Sequence, residues 1–369
     1  MNQLERYFVR VILLLMVLLP TGCSTIDDDR SDCPPVLPPD PPEPPGPDNN
    51  YELDYELQLV TNMTTELQTE LLTELQSEIT TTAYASVASA LRNHLSTIFT
   101  DFAHDVDLSF YDTQGDSIRL QHDQHVMDAN QASYTLNLPK RHYMHLAAAN
   151  IVDNPFVALA NDTYCHQSQL LQAEADTISS HTTGLFTARL PMNVLEGVDQ
   201  SFDVHLYMAN CAASLVVDTI GSGIHDIKVF VTGFATGFNI ADSTYLFGDK
   251  QPIVRTAKID AQEDGCMTFC SVTFPSPEEP LTRTIIETDE PFISPTVDGS
   301  LWELHVYIMT ADGSITENKL YVNKPLRAGQ LKVIKSKVHA DGSIGTDDKT
   351  VAVSVKLDWS EGGGHDIEL

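Results

Sequence analysis

Leu301-Trp-Glu-Leu-His-Val-Tyr-Ile-Met309, a short interval containing Asp312-Gly313, and Lys319-Leu-Tyr-Val322 form the stretch that decides the fold. In its first segment Trp302, Leu304, Val306 and Ile308 fall on every second residue, which puts them on one face of a strand. Asp-Gly between two such runs is a hairpin signal and favours a two-residue type I′ turn. The pattern fills the C-terminal half. Residues 204–208, 214–217, 227–234, 267–274, 331–338 and 351–359 also read as strands, and all four Asp-Gly pairs, at Asp264, Asp298, Asp312 and Asp341, lie among them.

Toward the N-terminus the same period of two marks strands at 106–111, 134–138 and 142–147, and an interruption at 168–176 is compatible with a short helix. Further back, Leu67, Leu71, Leu75 and Ile79, then Val87, Leu91, Leu95, Ile98 and Phe99, recur at helical spacing. One or two amphipathic helices are expected between 63 and 99. Before them, Tyr51, Leu53, Tyr55, Leu57 and Leu59 alternate with polar residues as a half-buried strand. The fold class expected is mainly β. About 320 residues from Tyr51 onward suffice for two cores, so the reading is two β-sandwich domains, 51–195 with the helical insertion and 196–369.

The chain opens with Arg6 and Arg10 flanking an apolar run, Val11 to Leu19, that closes on Pro20-Thr-Gly-Cys23. Charge, a short apolar core and small residues in that order form a secretory signal, placed here at 1–22. The run is too short for a roughly 30 Å hydrocarbon core, which needs about 20 residues. Small residues before a cysteine resemble the lipobox of bacterial lipoproteins, whose cysteine is acylated after cleavage, although Pro20 stands where leucine is preferred. Cys23 is therefore the candidate lipidation site. The cluster Asp27-Asp28-Asp29 resembles the surface-export signal of lipoproteins in the Bacteroidia; by composition alone it is an acidic spacer. Nine prolines between Pro34 and Pro47 favour polyproline II at about 3.1 Å per residue, enough for a stalk of roughly 50 Å over residues 34–50.

Charge narrows the function classes. Removing 1–22 takes two bases and one acid from totals of 21 and 52, leaving 19 and 51 and a net charge of −32. Such a field repels phosphate and argues against nucleic acid as a partner. Cys33, Cys165, Cys211, Cys266 and Cys270 form no zinc-type pair, and their disulfide pattern is open. Cys266 and Cys270 share one face of a strand but stand about 13 Å apart, too far to bridge.

Catalysis has no visible foundation. There is no G-x-S-x-G, H-E-x-x-H, P-loop or EF-hand loop. His122 and His125, and His142 and His145, are spaced three apart, which in a strand sends the two rings to opposite faces. We expect no metal, no cofactor and no enzymatic activity. A glycan-binding surface lipoprotein is the alternative from another class, since it would share the lipid, the stalk and the sandwich. Sugar platforms use exposed aromatics, whereas Trp302 and Trp359 both lie in alternating strands and read as core.

Asp32-Cys-Pro34 after the lipobox, Asp105-Val-Asp-Leu-Ser-Phe-Tyr-Asp-Thr-Gln-Gly115, Tyr134-Thr-Leu-Asn-Leu-Pro139, Met144-His-Leu-Ala-Ala-Ala-Asn150 and the strand pair 204–217 together resemble the FimB-like fimbrial anchor lipoproteins of the Bacteroidia. The resemblance implies two transthyretin-like β-sandwiches and a lipid-anchored outer-membrane protein at the base of a fimbria, where it ends subunit addition. It also implies fimbrial shaft subunits as partners through β-strand exchange. In related shaft subunits an arginine- or lysine-specific protease removes the first strand, and a neighbour's C-terminal strand fills the groove, a form of β-augmentation.

Two expectations follow for this chain. The alternating face Val351, Val353, Val355, Leu357 and Trp359 has the pattern of a groove-filling donor strand, which an internal strand shares. No Lys or Arg lies between Arg30 and Arg92, so a basic-specific protease has nowhere to cut just after 51–59, and the first strand should be retained.

Overall fold

The computed structural model describes residues 50–60, 82–99, 104–114, 118–127, 133–152, 154–161, 169–172, 175–221, 223–248, 251–259, 265–281 and 299–356. The signal, Cys23, the stalk to residue 49, the helical segment 63–81, Cys33, Cys165, Leu357 and Trp359 lie outside them. The described chain is mainly β, with four sheets and one helix. In chain order the elements begin with β1 (Asn50–Val60), α1 (Thr82–Ile98), β2 (Asp105–Asp112), β3 (Arg119–Met127), β4 (Ser133–Pro139) and β5 (His142–Ala149). There follow β6 (Val157–Ala160), β7 (Gln169–Gln172), β8 (Thr177–Ser179), β9 (Phe186–Asn193), β10 (Ser201–Met208) and β11 (Cys211–Asp218). Next are β12 (Ile224–Thr232), β13 (Gly237–Asn239), β14 (Thr244–Leu246), β15 (Ile253–Arg255), β16 (Ala257–Ile259) and β17 (Cys266–Thr273). The chain ends with β18 (Trp302–Thr310), β19 (Ile315–Val322), β20 (Leu331–Val338), β21 (Ile344–Gly345) and β22 (Val351–Lys356).

The first sheet has the order β3-β2-β5-β9-β10-β1-β4. Only Lys140 and Arg141 separate β4 from β5, a reach of about 10 Å, yet the two strands stand four intervals apart in the sheet, or about 19 Å if it were flat. The sheet must therefore bend. It does so where β9 and β10 share only the pairs Tyr207↔Thr187 and Met208↔Phe186, giving one layer β3-β2-β5-β9 and another β10-β1-β4. Val106, Leu108, Phe110, Tyr143 and Phe186 from the first layer meet Leu136, Leu138, Val204 and Leu206 from the second in one buried cluster. Tyr143 Oη donates to the Pro139 carbonyl at 2.8 Å across the gap.

The second sandwich packs β16-β17-β11-β20-β21 against β22-β19-β18-β12-β15-β8. Leu215 and Val217 on one sheet share a core with Val229, Val231, Leu304 and Val306 on the other. At its centre Trp302 is fully buried, donates from Nε1 to the Lys324 carbonyl at 3.0 Å and lies against Phe234. The outer face of the first of these sheets is covered by α1, whose Val87, Leu91, Leu95 and Ile98 pack on Ala212, Val216, Cys270 and Val272. That explains the almost unbroken apolar run of β11, which is buried on both faces. The helix was expected as an insertion in the first sandwich, between whose strands β1 and β2 it lies in sequence; its apolar stripe is used by the second.

A small sheet, β14-β13-β7-β6, closes over the outer face of β5, where Met144, Leu146 and Ala148 meet Leu170, Phe238 and Phe274. Here the short helix expected at 168–176 is replaced by β7. Leu170 and Gln172 are buried on one face and the backbone is paired on both sides, with β6 and β13, so ladder bonds outweigh a weak local helical signal. β10, read from the sequence as opening the second sandwich, pairs with β1 in the first sheet.

The Asp-Gly hairpins also differ from expectation. Gly313 and Gly342 have φ of 86° and 76°, while Asp312 and Asp341 are not in the left-handed region, so the turns are not type I′. Gly313 N–H bonds to Thr310 O and Thr310 N–H to Ser314 O, and Gly342, His339 and Ser343 repeat the arrangement. These are three-residue loops, a type I turn closed by a left-handed glycine. The Asp keeps a right-handed backbone because its carboxylate accepts from the serine two residues on, through both N–H and Oγ–H. A hydrogen bond from the Thr310 hydroxyl, with those from the Ser314 hydroxyl and N–H, holds the exposed Asp312 carboxyl down at about 2.

Candidate functional site

The two strands singled out from sequence occupy very different positions. β1 is an inner strand. Its backbone pairs in parallel with β10 from Asp54↔Ser201 to Val60↔Tyr207, and antiparallel with β4 from Asn50↔Pro139 to Glu56↔Ser133. The slot between β10 and β4 is thus filled by the protein's own first strand. Both neighbours depend on it, because among the described residues β4 has no other partner strand and β10 has only the two-pair corner with β9.

β22 is an edge strand. It pairs antiparallel with β19 over Val322↔Val351 to Glu317↔Lys356, and no strand adjoins its other side among the described residues. Val351 enters the second core, Val353 packs at its rim and Val355 is 37% exposed. These three residues of the expected donor face are docked in the protein's own sheet, with burial falling from Val351 to Val355, and Leu357 and Trp359 lie outside the described residues. Alternation could reveal the face; it could not reveal that β19 would take it.

The histidine pairs are divided as strand geometry requires. His122 lies opposite Phe110, on the core side, while His125 lies opposite Asp107 on the other face and bonds its carboxylate at 3.0 Å. His145 is buried, stacks on Phe110 with ring centroids 4.2 Å apart and bonds the Ser109 carbonyl through Nδ1. Burial lowers its pKa to about 4. His142 is on the opposite, partly exposed side of β5. No group of three or more His, Cys, Asp or Glu side chains suited to a metal occurs among the described residues.

Cys211 and Cys270 are buried free thiols, and burial raises both pKa values, that of Cys270 to about 12. Neither is poised as a nucleophile. Cys266 and Cys270 lie on β17 without bridging each other. The buried Trp302 offers no stacking platform for a sugar.

Two polar constellations were not found from sequence. On the face of β18 and β19 away from the core, Glu303 bonds His305 at 3.0 Å, and Glu317 accepts from Tyr307 and lies 3.7 Å from Lys319 Nζ. All three acidic and imidazole side chains of this ladder, Glu303, His305 and Glu317, are buried. Alternation of charge opposite the apolar face was its only signal. The second centres on Asn210, one of two residues joining β10 to β11. Its Oδ1 accepts from Leu185 N–H, its Nδ2 donates to His181 Nδ1, and its carbonyl accepts from Gly329 N–H. Paired buried polar groups of this kind fix register and orientation.

With this geometry in place, solved structures of similar shape can be set beside it. The chain is similar to a candidate adhesin from Bacteroides ovatus (11% identity, 85% of this chain and 97% of that one covered, TM-score 0.48). It is similar also to a candidate polysaccharide-binding protein from Bacteroides thetaiotaomicron (10%, 82% and 97%, 0.45) and to the fimbrial anchor protein Mfa2 from Porphyromonas gingivalis (13%, 69% and 89%, 0.43). No protein-family model matches the sequence, and no curated protein does.

Proposed function

We propose that the protein is a non-catalytic, lipid-anchored outer-membrane protein that holds and terminates a fimbria at the cell surface. The observation that carries the reading is β1 seated between β10 and β4 in a chain with no Lys or Arg from residue 31 to 91. A subunit that extends a fibre must open a groove; this one keeps its groove filled and lacks a cleavage site that would empty it. The signal ending at Cys23 and the proline-rich stalk supply the tether. The exposed end of β22 and its edge, open among the described residues, supply the element for strand exchange with a shaft subunit, by main-chain bonds with alternate side chains in pockets.

The test is the mature protein isolated from cells. Its N-terminal sequence and mass should show an acylated Cys23 and an intact 50–60; a start between residues 60 and 95 would mean processing like a shaft subunit and would refute termination. The tether is tested separately. Cys23→Ala should leave the membrane fraction or retain its signal, and unchanged acyl labelling of that variant would remove the anchor from the reading.

A further inference from the structure

The register of β1 has a mechanical consequence for a protein tethered through its N-terminus, and it rests on the proposed anchoring. Load from the membrane would enter β1 at Asn50, the end nearest the stalk. Load from the fimbria would reach the first sandwich from the second. β10 runs parallel to β1 and passes through Ala209 and Asn210 directly into β11 of the second sandwich. β1 itself continues, from Val60, toward α1, which packs on that same sheet. Both covalent routes therefore leave from the far end of β1, the end opposite the tether.

We infer that β1 is a shear clamp: tension between membrane and fimbria is carried along its axis, so that the two flanking ladders are loaded together and not one bond at a time. Inter-strand hydrogen bonds lie across the strand direction in an antiparallel pair and slanted in a parallel one. Pulling lengthwise must slide all of them at once, whereas pulling from the far end would peel them in sequence. The two ladders are staggered along β1. Asn50–Glu56 is bonded to β4 and Asp54–Val60 to β10, each over seven register pairs, so every residue of the strand is held on at least one side. Forced unfolding follows the barrier along the pulled direction, not the equilibrium stability, and the same fold can be strong in one direction and weak in the other.

The experiment uses the lipid-free protein, residues 24–369, in single-molecule force spectroscopy with one handle fixed at the exposed Lys349 of the second sandwich. The other handle is placed either at Asn49, before β1, or at Thr61, after it. The clamp predicts a first rupture force several-fold higher from Asn49 than from Thr61, with the released length matching extraction of β1 and the chain before α1. Equal rupture forces from the two positions would overturn it, as would a first event from Asn49 that opens the second sandwich at low force. The readout needs neither lipid nor fimbria. Unchanged acyl labelling in the Cys23→Ala test together with a strong directional asymmetry here would refute the cellular role and leave the clamp standing.

Discussion

Unfolding free energy should fall steeply as the pH is lowered from about 6.5 to about 4, by up to about 3 kcal/mol for each of two buried histidines. His145 and His181 are fully buried, and desolvation lowers both from the ordinary 6.5 to about 4. Between those values the unfolded chain binds a proton at each ring and the native state does not. Stability is therefore complete above 6.5 and is lost progressively on acidification through that window. His145 faces Phe110 and the Ser109 carbonyl, and His181 faces Phe156, Phe274 and Asn210. Asp107, raised by burial, works in the opposite direction, and the lowered Asp312 and Asp341 titrate mainly below the window. Urea midpoints measured from pH 7.5 to 4.5 check the slope. The double variant His145→Phe, His181→Phe should be less stable at pH 7.5 yet flatter toward pH 4.5; an unchanged slope would show that these rings are not its source.

Those histidines illustrate what the sequence could and could not disclose. β2 and β18 were legible because one apolar face imposes a period of two over eight or nine residues, as at Val106, Leu108 and Phe110. β9 was not read although Phe186, Ala188, Leu190 and Met192 keep the period, since a proline inside the run argues against an inner strand, and β3 was not, since an edge strand can carry Arg119, His122, Asp123 and His125 along a half-wet ribbon. Three-residue strands such as β8, β13 and β15 have no period to read; they exist because neighbours offer an edge. Sheet membership was equally hidden. β10 alternates as well for one sheet as for another, and only the pairing with β1 assigns it. The candidate donor face on Val351, Val353 and Val355 was legible as a pattern, but its docking on β19 depends on a partner some 35 residues upstream that periodicity cannot identify. Retention of β1 was inferred from missing basic residues, whereas its place between two strands is a property of tertiary pairing alone.

Asn210 is where that tertiary information is most concentrated, and Asn210→Ala should destabilise the protein by about 3–5 kcal/mol, since two buried groups would lose their partners at about 1–3 kcal/mol each and a small cavity would remain. The side chain is fully buried at the crossing from β10 to β11. Its orientation is fixed by Leu185 N–H, which requires an oxygen and so leaves the amide nitrogen to face His181 Nδ1. His181 must then carry its proton on Nε2, which is buried and has no partner among the described residues. A doubly protonated His181 would point an N–H at another N–H donor, and rotating the amide would only move the conflict to Leu185. Hence Asn210 and His181 form one unit. Asn210→Ala combined with His181→Phe should cost less than the two single changes together, by more than about 1 kcal/mol. Asn210→Asp gives the sharper reading, because a carboxylate there can accept from Leu185 N–H and from a protonated ring. In that variant the share of the acid-induced loss due to His181 should vanish or reverse, while the share due to His145 persists. Additive single changes, or an Asn210→Asp profile that parallels the parent protein at every pH from 7.5 to 4.5, would show that the joint does not depend on a neutral His181.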